Sequence, residues 1–286
     1  MPGHREWPSK PWTGVRPSTR NPLANGLRGL WAFNEDGGNT VFNLAQANYP
    51  GTFSAATPPT WANSPYGRAL TFGGVSSYID NVGTIDQFNF LATTAVFTIA
   101  ARFRLANNAA DAAGCIFGGS GGSSNRDAAL FWENRSIVSS PKAFRLLVGN
   151  GTLGNYTING QTANNVVTDN NWHHVAVTAN ANTCQVYIDG VAVTMASNTS
   201  AGSPAGPLSA NPNIGRTTGN ALFFNGDIEH VMVWDRVLTA DEIRVLYGNP
   251  YQVFSSRYRR TPLGSPTTTY YLWNSDIEEN FNVLTY

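Results

Sequence analysis

Phe97-Thr98-Ile99-Ala100-Ala101-Arg102-Phe103-Arg104-Leu105 alternates along its length, so Phe97, Ile99, Ala101, Phe103 and Leu105 fall on one face of a strand. His173-His174-Val175-Ala176-Val177 follows the same period, and both segments are expected to be half-buried. Between Cys184 and Val193, the pair Asp189-Gly190 separates two β-rich runs. It predicts a tight type I′ hairpin, because both turn residues tolerate positive φ. From about Leu27 to Tyr247 the chain continues as short runs of this kind bounded by Gly, Asn, Pro and Ser. One segment has helical character: Thr239 can cap it, Glu242 completes a capping box, and Gly248 ends it. Many strands with one short C-terminal helix predict an all-β antiparallel sandwich.

The two ends read differently. Residues 1–26 carry Pro2, Pro8, Pro11, Pro17 and Pro22, too closely spaced for a helix and unable to supply the N–H groups of a central strand. They form an extended arm in which Arg5, Lys10, Arg16 and Arg20 surround Trp7 and Trp12. The arm either docks on a neighbouring subunit or folds its tryptophans back onto the body. Residues 249–286 form an extended tail. A basic-aromatic strip at Arg257-Tyr258-Arg259-Arg260 comes first, then an acidic stretch with Tyr270, Tyr271 and Trp273. The guanidinium forks could grip a partner's carboxylates bidentately, and the opposite charges of arm and tail would let copies interlock as a homo-oligomer. The domain plan is therefore 1–26 arm, 27–248 sandwich and 249–286 tail.

Composition narrows the function. Among 286 residues, 18 Lys+Arg balance 18 Asp+Glu and only 13% of positions are charged, which argues against a nucleic-acid binder. Cys115 and Cys184 stand far apart and read as buried thiols. No apolar run is long enough to cross a bilayer, and the N-terminal residues lack the apolar stretch of a signal peptide, so neither a secretory nor a membrane address is expected.

Leu30-Trp31-Ala32-Phe33-Asn34-Glu35, Gly67-Arg68-Ala69-Leu70-Thr71-Phe72, Trp172-His173-His174-Val175-Ala176-Val177, the Val186–Gly190 hairpin, Ile214-Gly215-Arg216 and Phe224–Val231 leading through Trp234-Asp235-Arg236 into the helix form one set. Together they resemble the laminin-G-like, concanavalin-A-like jelly-roll domains over roughly residues 27–248. That resemblance implies the sandwich and says little about function, since such folds host lectins, glycosidase-like domains and virion modules. The opening Asn21-Pro22-Leu23 and the closing Asn249-Pro250-Tyr251 resemble reading frames common in tailed bacteriophages. This implies a non-enzymatic virion structural protein at the virion surface, a capsid decoration or cement protein docked by its terminal arms on a capsid or other virion protein. The alternative is a carbohydrate-binding lectin or adsorption module, and a third reading is a relative of the glycoside hydrolases.

The candidate residues follow from these readings. Partner binding falls to Arg5, Trp7, Trp12, Arg16, Arg257, Arg259, Arg260, Tyr270, Tyr271 and Trp273. Glycan binding falls to the aromatics Trp61, Trp132 and Tyr156, if exposed. The resemblance further implies a calcium ion at the sandwich rim, with Asp36 and Asp80 as oxygen ligands, although neither sits in a calcium-loop motif. No other cofactor is expected. Asp227 and Glu229 are spaced to share a strand face but lack the carboxylate cluster of glycosidases, and the laminin-G-like resemblance implies that they are solvent-facing strand residues. No nucleophile elbow, metalloprotease helix or phosphate loop is present, so no catalytic residue is assigned.

Overall fold

The computed structural model describes residues 10–46, 49–107, 112–119, 128–135, 141–152, 155–204, 206–217 and 222–255. The candidates Arg5, Trp7, Arg257, Arg259, Arg260, Tyr270, Tyr271 and Trp273 lie outside them. The strands are β1 (Leu27–Trp31), β2 (Thr40–Val41), β3 (Gly51–Phe53), β4 (Thr60–Ser64), β5 (Gly67–Gly73), β6 (Ile79–Asp80), β7 (Val96–Leu105), β8 (Ala113–Gly119) and β9 (Ala128–Glu133). They continue as β10 (Ala143–Gly149), β11 (Tyr156–Thr162), β12 (His173–Asn180), β13 (Thr183–Ile188), β14 (Val191–Ala192), β15 (Met195–Thr199), β16 (Asn213–Ile214) and β17 (Asn225–Trp234). Helices α1 (Ile85–Phe88) and α2 (Phe90–Thr93) precede β7, and α3 (Ala240–Gly248) follows β17.

Two antiparallel sheets form the sandwich. Sheet I runs β14-β13-β12-β7-β17-β5-β4, and sheet II runs β15-β11-β10-β9-β8-β16-β6-β3-β2. The inward residues of β7, Phe97, Ile99, Ala101, Phe103 and Leu105, all join the core between the sheets. Phe103 there meets Phe144 of sheet II edge to face at 5.3 Å between ring centres. Asp189 and Gly190 both have positive φ, 50° and 77°, so the hairpin between β13 and β14 has the expected turn. Thr239 and Glu242 close the capping box that starts α3. Cys115 and Cys184 are free and buried.

The outer side of sheet I departs from the expected half-exposed surface. A second apolar layer lies on it, built from Leu23, Leu27, Leu30, Ala100, Ala176, Met232, Trp234, Ile243, Leu246, Tyr251 and Val253. Small residues on β7 and β12 leave room for α3 and the segments flanking the strands. Residues 10–26 are therefore not a free arm: Leu23 is fully buried, and its carbonyl accepts from Trp234 Nε1 at 2.7 Å. Pro250–Phe254 folds as a buried 3-10 turn rather than opening an extended tail. The two terminal segments join through Ser18 N to Val253 O at 2.8 Å and Asn21 Nδ2 to Gln252 O at 2.8 Å. Among the described residues, the segments on both sides of the expected 27–248 boundaries thus pack as part of the folded unit.

β17 changes partners midway. Asn225–Ile228 pair with β5, and Val231–Trp234 pair with β1. A bulge against β7 between Ile228 and His230 leaves Glu229 as the extra residue at the change. Lys10 gathers backbone carbonyls at this junction: its ammonium donates to Ala32 O at 2.5 Å, to Glu229 O at 2.6 Å and to Arg68 O.

Candidate functional site

Two places on the sandwich gather polar side chains, and they differ in what a ligand could reach. The first surrounds the Lys10 junction on the outer side of sheet I. The Glu229 side chain is 0% exposed and faces Arg102 at 3.1 Å, with Tyr251 Oη donating to Glu229 Oε1 at 3.1 Å. His230 and His174 lie alongside, with rings 6.5 Å apart, and Arg102 stacks over Tyr66 at 4.8 Å. Burial dominates the electrostatics here. It pushes Lys10 down to about 7 against the pull of the Glu229 and Glu35 carboxylates. It raises Glu229, lowers His174 to about 4 and holds His230 well below the usual imidazole range. Both histidines are consequently neutral at pH 7. The cluster is covered by α3, Tyr251 and Lys10, so it joins the terminal segments to the sheet.

Asp227 lies on the same side, and it too is buried rather than solvent-facing as expected. Arg104 Nε and Nη2 both donate to Asp227 Oδ2, at 2.8 and 2.6 Å, and Thr71 Oγ1 donates to Asp227 Oδ1 at 2.5 Å. Asp227 and Glu229 are thereby tied to separate arginines. A glycosidase instead sets two carboxyl groups on either side of a scissile bond.

The second place is a cleft of about 140 Å³ on the outer side of sheet II, lined by Tyr156, Asn159, Thr199, Ser200 and Ala201. A bulge creates it. Ile158 lies opposite Val148 and Tyr156 opposite Gly149, with Thr157 the extra residue between them. Strict alternation would put Tyr156 on the same face as the core residue Ile158; the extra residue turns it outward beside Asn159. Across the ladder Asn159 faces Thr199. The loop after β15 is fixed by Ala201 N to Tyr156 O at 2.8 Å and by Asn150 Nδ2 to Ala201 O at 2.5 Å. From the neighbouring strand, Arg145 donates to Asn159 Oδ1 through Nε at 3.3 Å and Nη2 at 3.1 Å. The cleft thus combines a half-buried aromatic ring, an amide and two hydroxyls.

The other sequence candidates are spread over the molecule. Trp132 is 4% exposed and packs against Phe144 at 5.4 Å in the core, so it presents no ring to a sugar; large aromatics lie inside when their strand face is inward. Trp61 sits at the rim with its ring against Phe53 and its indole N–H donated to Gly38 O at 3.0 Å. Asp36 pairs with Arg68, and Asp80 accepts from Arg216 at 3.1 Å. These two carboxylates are separately neutralised, and among the described residues no group of three or more His, Cys, Asp or Glu could hold a metal ion. Trp12 is 70% exposed and Arg16 is also exposed, on the segment that packs against sheet I. Among the described residues no helix is long and apolar enough to cross a membrane.

Three comparisons bear on this geometry. Residues 73–244 match the family described as the concanavalin A-like lectin/glucanases superfamily. No curated protein sequence gives a significant match. Among solved structures, the chain is similar to domain 4 of an extracellular arabinanase from Geobacillus stearothermophilus, solved with arabinotriose. The TM-score is 0.55 at 18% identity, covering 77% of this chain and 98% of that one. It is also similar to Trypanosoma rangeli sialidase, with a TM-score of 0.55, 17% identity and 80% of this chain covered. The complex of that sialidase with sialic acid gives a TM-score of 0.54, 19% identity and 80% coverage of this chain. The chain spans only 33% of the sialidase chains, so the likeness is one of fold to a part of them.

Proposed function

The chain belongs to the concanavalin A-like lectin/glucanases superfamily, and we propose that it is a non-catalytic carbohydrate-binding protein that takes a saccharide at the Tyr156 cleft. The observation that carries this reading is the bulge that turns Tyr156 outward beside Asn159, Thr199 and Ser200. An aromatic ring packs against the C–H face of a sugar, while amide and hydroxyl groups match its hydroxyls. The arabinotriose carried by the Geobacillus domain supports saccharides as the ligand class. The non-catalytic part of the proposal rests on Asp227 and Glu229, whose carboxylates are taken up by Arg104 and by Arg102. A glycan array probed with the full chain and with Tyr156→Ala tests the reading. Binding by the first and not the second is expected, with both folded by circular dichroism; a full chain that binds no glycan contradicts it.

A finer reading sets this module on a virion surface as a capsid decoration protein held by its terminal segments. One observation favours it. Residues 10–21 and 250–255 run together over the outer side of sheet I, whereas the cleft opens on sheet II. Whatever these two segments grip, the cleft would face away from it. Sedimentation of the full chain with capsids tests this: saturable stoichiometric binding is expected, and a chain left in the supernatant contradicts it.

A further inference from the structure

We infer that the Tyr156 cleft prefers saccharides bearing a carboxylate, with Arg145 supplying the charge and Asn159 the adjoining amide donors; this rests on the carbohydrate reading above. Arg145 lies on β10 between Phe131 of β9 and Gln161 of β11, on the outer side of sheet II. A guanidinium only donates, so its two bonds to Asn159 fix the amide oxygen toward Arg145. The Asn159 Nδ2 group, with two donors, is thereby turned the other way, and among the described residues no group accepts from it.

Charge balance points in the same direction. Glu133 is on the same side of β9 as Phe131, yet it is engaged bidentately by Arg135, at 2.8 and 2.5 Å. Among the described residues Arg145 has no carboxylate partner, and the cleft is lined by no acidic side chain. Tyr156, Thr199 and Ser200 add hydroxyls that can donate. The cleft and its border therefore offer several donors and carry one positive charge, and among the described residues no carboxylate balances it. A carboxylate on a sugar ring seated against Tyr156 complements that inventory with a charge-assisted bond, whereas a neutral ring offers the guanidinium only its weaker hydroxyl acceptors.

Isothermal titration of the full chain with α-1,4-linked trigalacturonate and with the neutral α-1,4-galactotriose separates the two levels of the argument. The acidic trimer is expected to bind about tenfold more tightly at low salt, and the preference to shrink as salt screens a partly exposed charge. Arg145→Gln should abolish the preference, so that the acidic and neutral trimers bind alike in that variant, and Arg145→Lys should keep part of the preference. Equal affinities in the unmodified protein, or an acid preference that survives Arg145→Gln, overturn the inference and leave carbohydrate binding standing. Binding of neither trimer, together with an empty glycan array, overturns both.

Discussion

Lys10 and Glu229, separated by 219 positions, meet where β17 passes from β5 to β1: the Lys10 ammonium donates to the Glu229 carbonyl at 2.6 Å. The same ammonium donates to the Ala32 and Arg68 carbonyls, so one side chain gathers all three at the point where two strands leave their common neighbour. Lys10→Met keeps most of the apolar stem and removes the ammonium from the Ala32, Glu229 and Arg68 carbonyls, of which Arg68 O still accepts from Ser64 Oγ at 3.2 Å. We expect it to lower stability by about 2–4 kcal/mol, measured by urea denaturation. A loss under about 0.5 kcal/mol, the size of an ordinary surface substitution, would contradict the role given to Lys10.

The terminal segment belongs to the fold. Leu23→Ala should cost about 2–4 kcal/mol by opening a cavity under Trp234 and Tyr251. Deleting residues 1–26 removes both Leu23 and Lys10 and should leave a chain with a far lower Tm; a deletion that melts like the full chain contradicts this packing.

His173 gives stability a defined pH dependence. Its ring nitrogens bond Asp189 Oδ2 and Asp169 Oδ1, each at 2.8 Å. The hydrogen bond to Asp189 raises the imidazole above its usual value, with burial acting against it. Burial of Asp189 acts upward, but the His173 and His174 hydrogen bonds outweigh it and lower that carboxyl; Asp169 is lowered chiefly by its bond to His173. A raised imidazole contributes fully below its unfolded value of 6.5 and loses that contribution as pH rises through the folded value. The lowered carboxylates contribute above 3.8 and lose it as pH falls through their folded values. The stability difference between the protein and His173→Gln should therefore be greatest near pH 5, at about 1 kcal/mol because Asp169 is half exposed, and should shrink on either side. Denaturation midpoints across pH 3–9 check this, and a flat difference contradicts it.

Trp132 and Tyr156 were equivalent as sequence candidates, and the structure separates them. Trp132→Ala should destabilise the protein by about 3–5 kcal/mol through a core cavity while leaving saccharide affinity unchanged in the fraction that stays folded. Tyr156→Ala should do the reverse. Saccharide titration and thermal melting of both variants form the check, and equal effects on affinity contradict the assignment.

What was legible in the sequence followed from local periodicity and turn chemistry. The alternation of Phe97–Leu105, the Asp189-Gly190 turn and the Thr239–Glu242 capping box each act over a few residues, and each is found in place. What was missed depends on partners distant in sequence. Leu23 and Lys10 sit in a proline-rich stretch with no strand or helix signal, and only the change of partners along β17 gives Lys10 its three acceptors. Glu229 reads as a surface residue until the bulge and its roof are known. The cleft was half visible: Tyr156 was a candidate, but strict alternation would bury it with Ile158, and the bulge at Thr157 leaves no mark in the sequence. A single residue inserted into a ladder reverses the side on which a side chain appears.

The most direct measurement is hydrogen–deuterium exchange of the full chain with and without a saccharide found to bind it. Added protection is expected over residues 156–161 and 197–201, in and beside β11 and β15. Protection confined to the Trp61 rim, or none in β11 and β15 at saturating ligand, would contradict it.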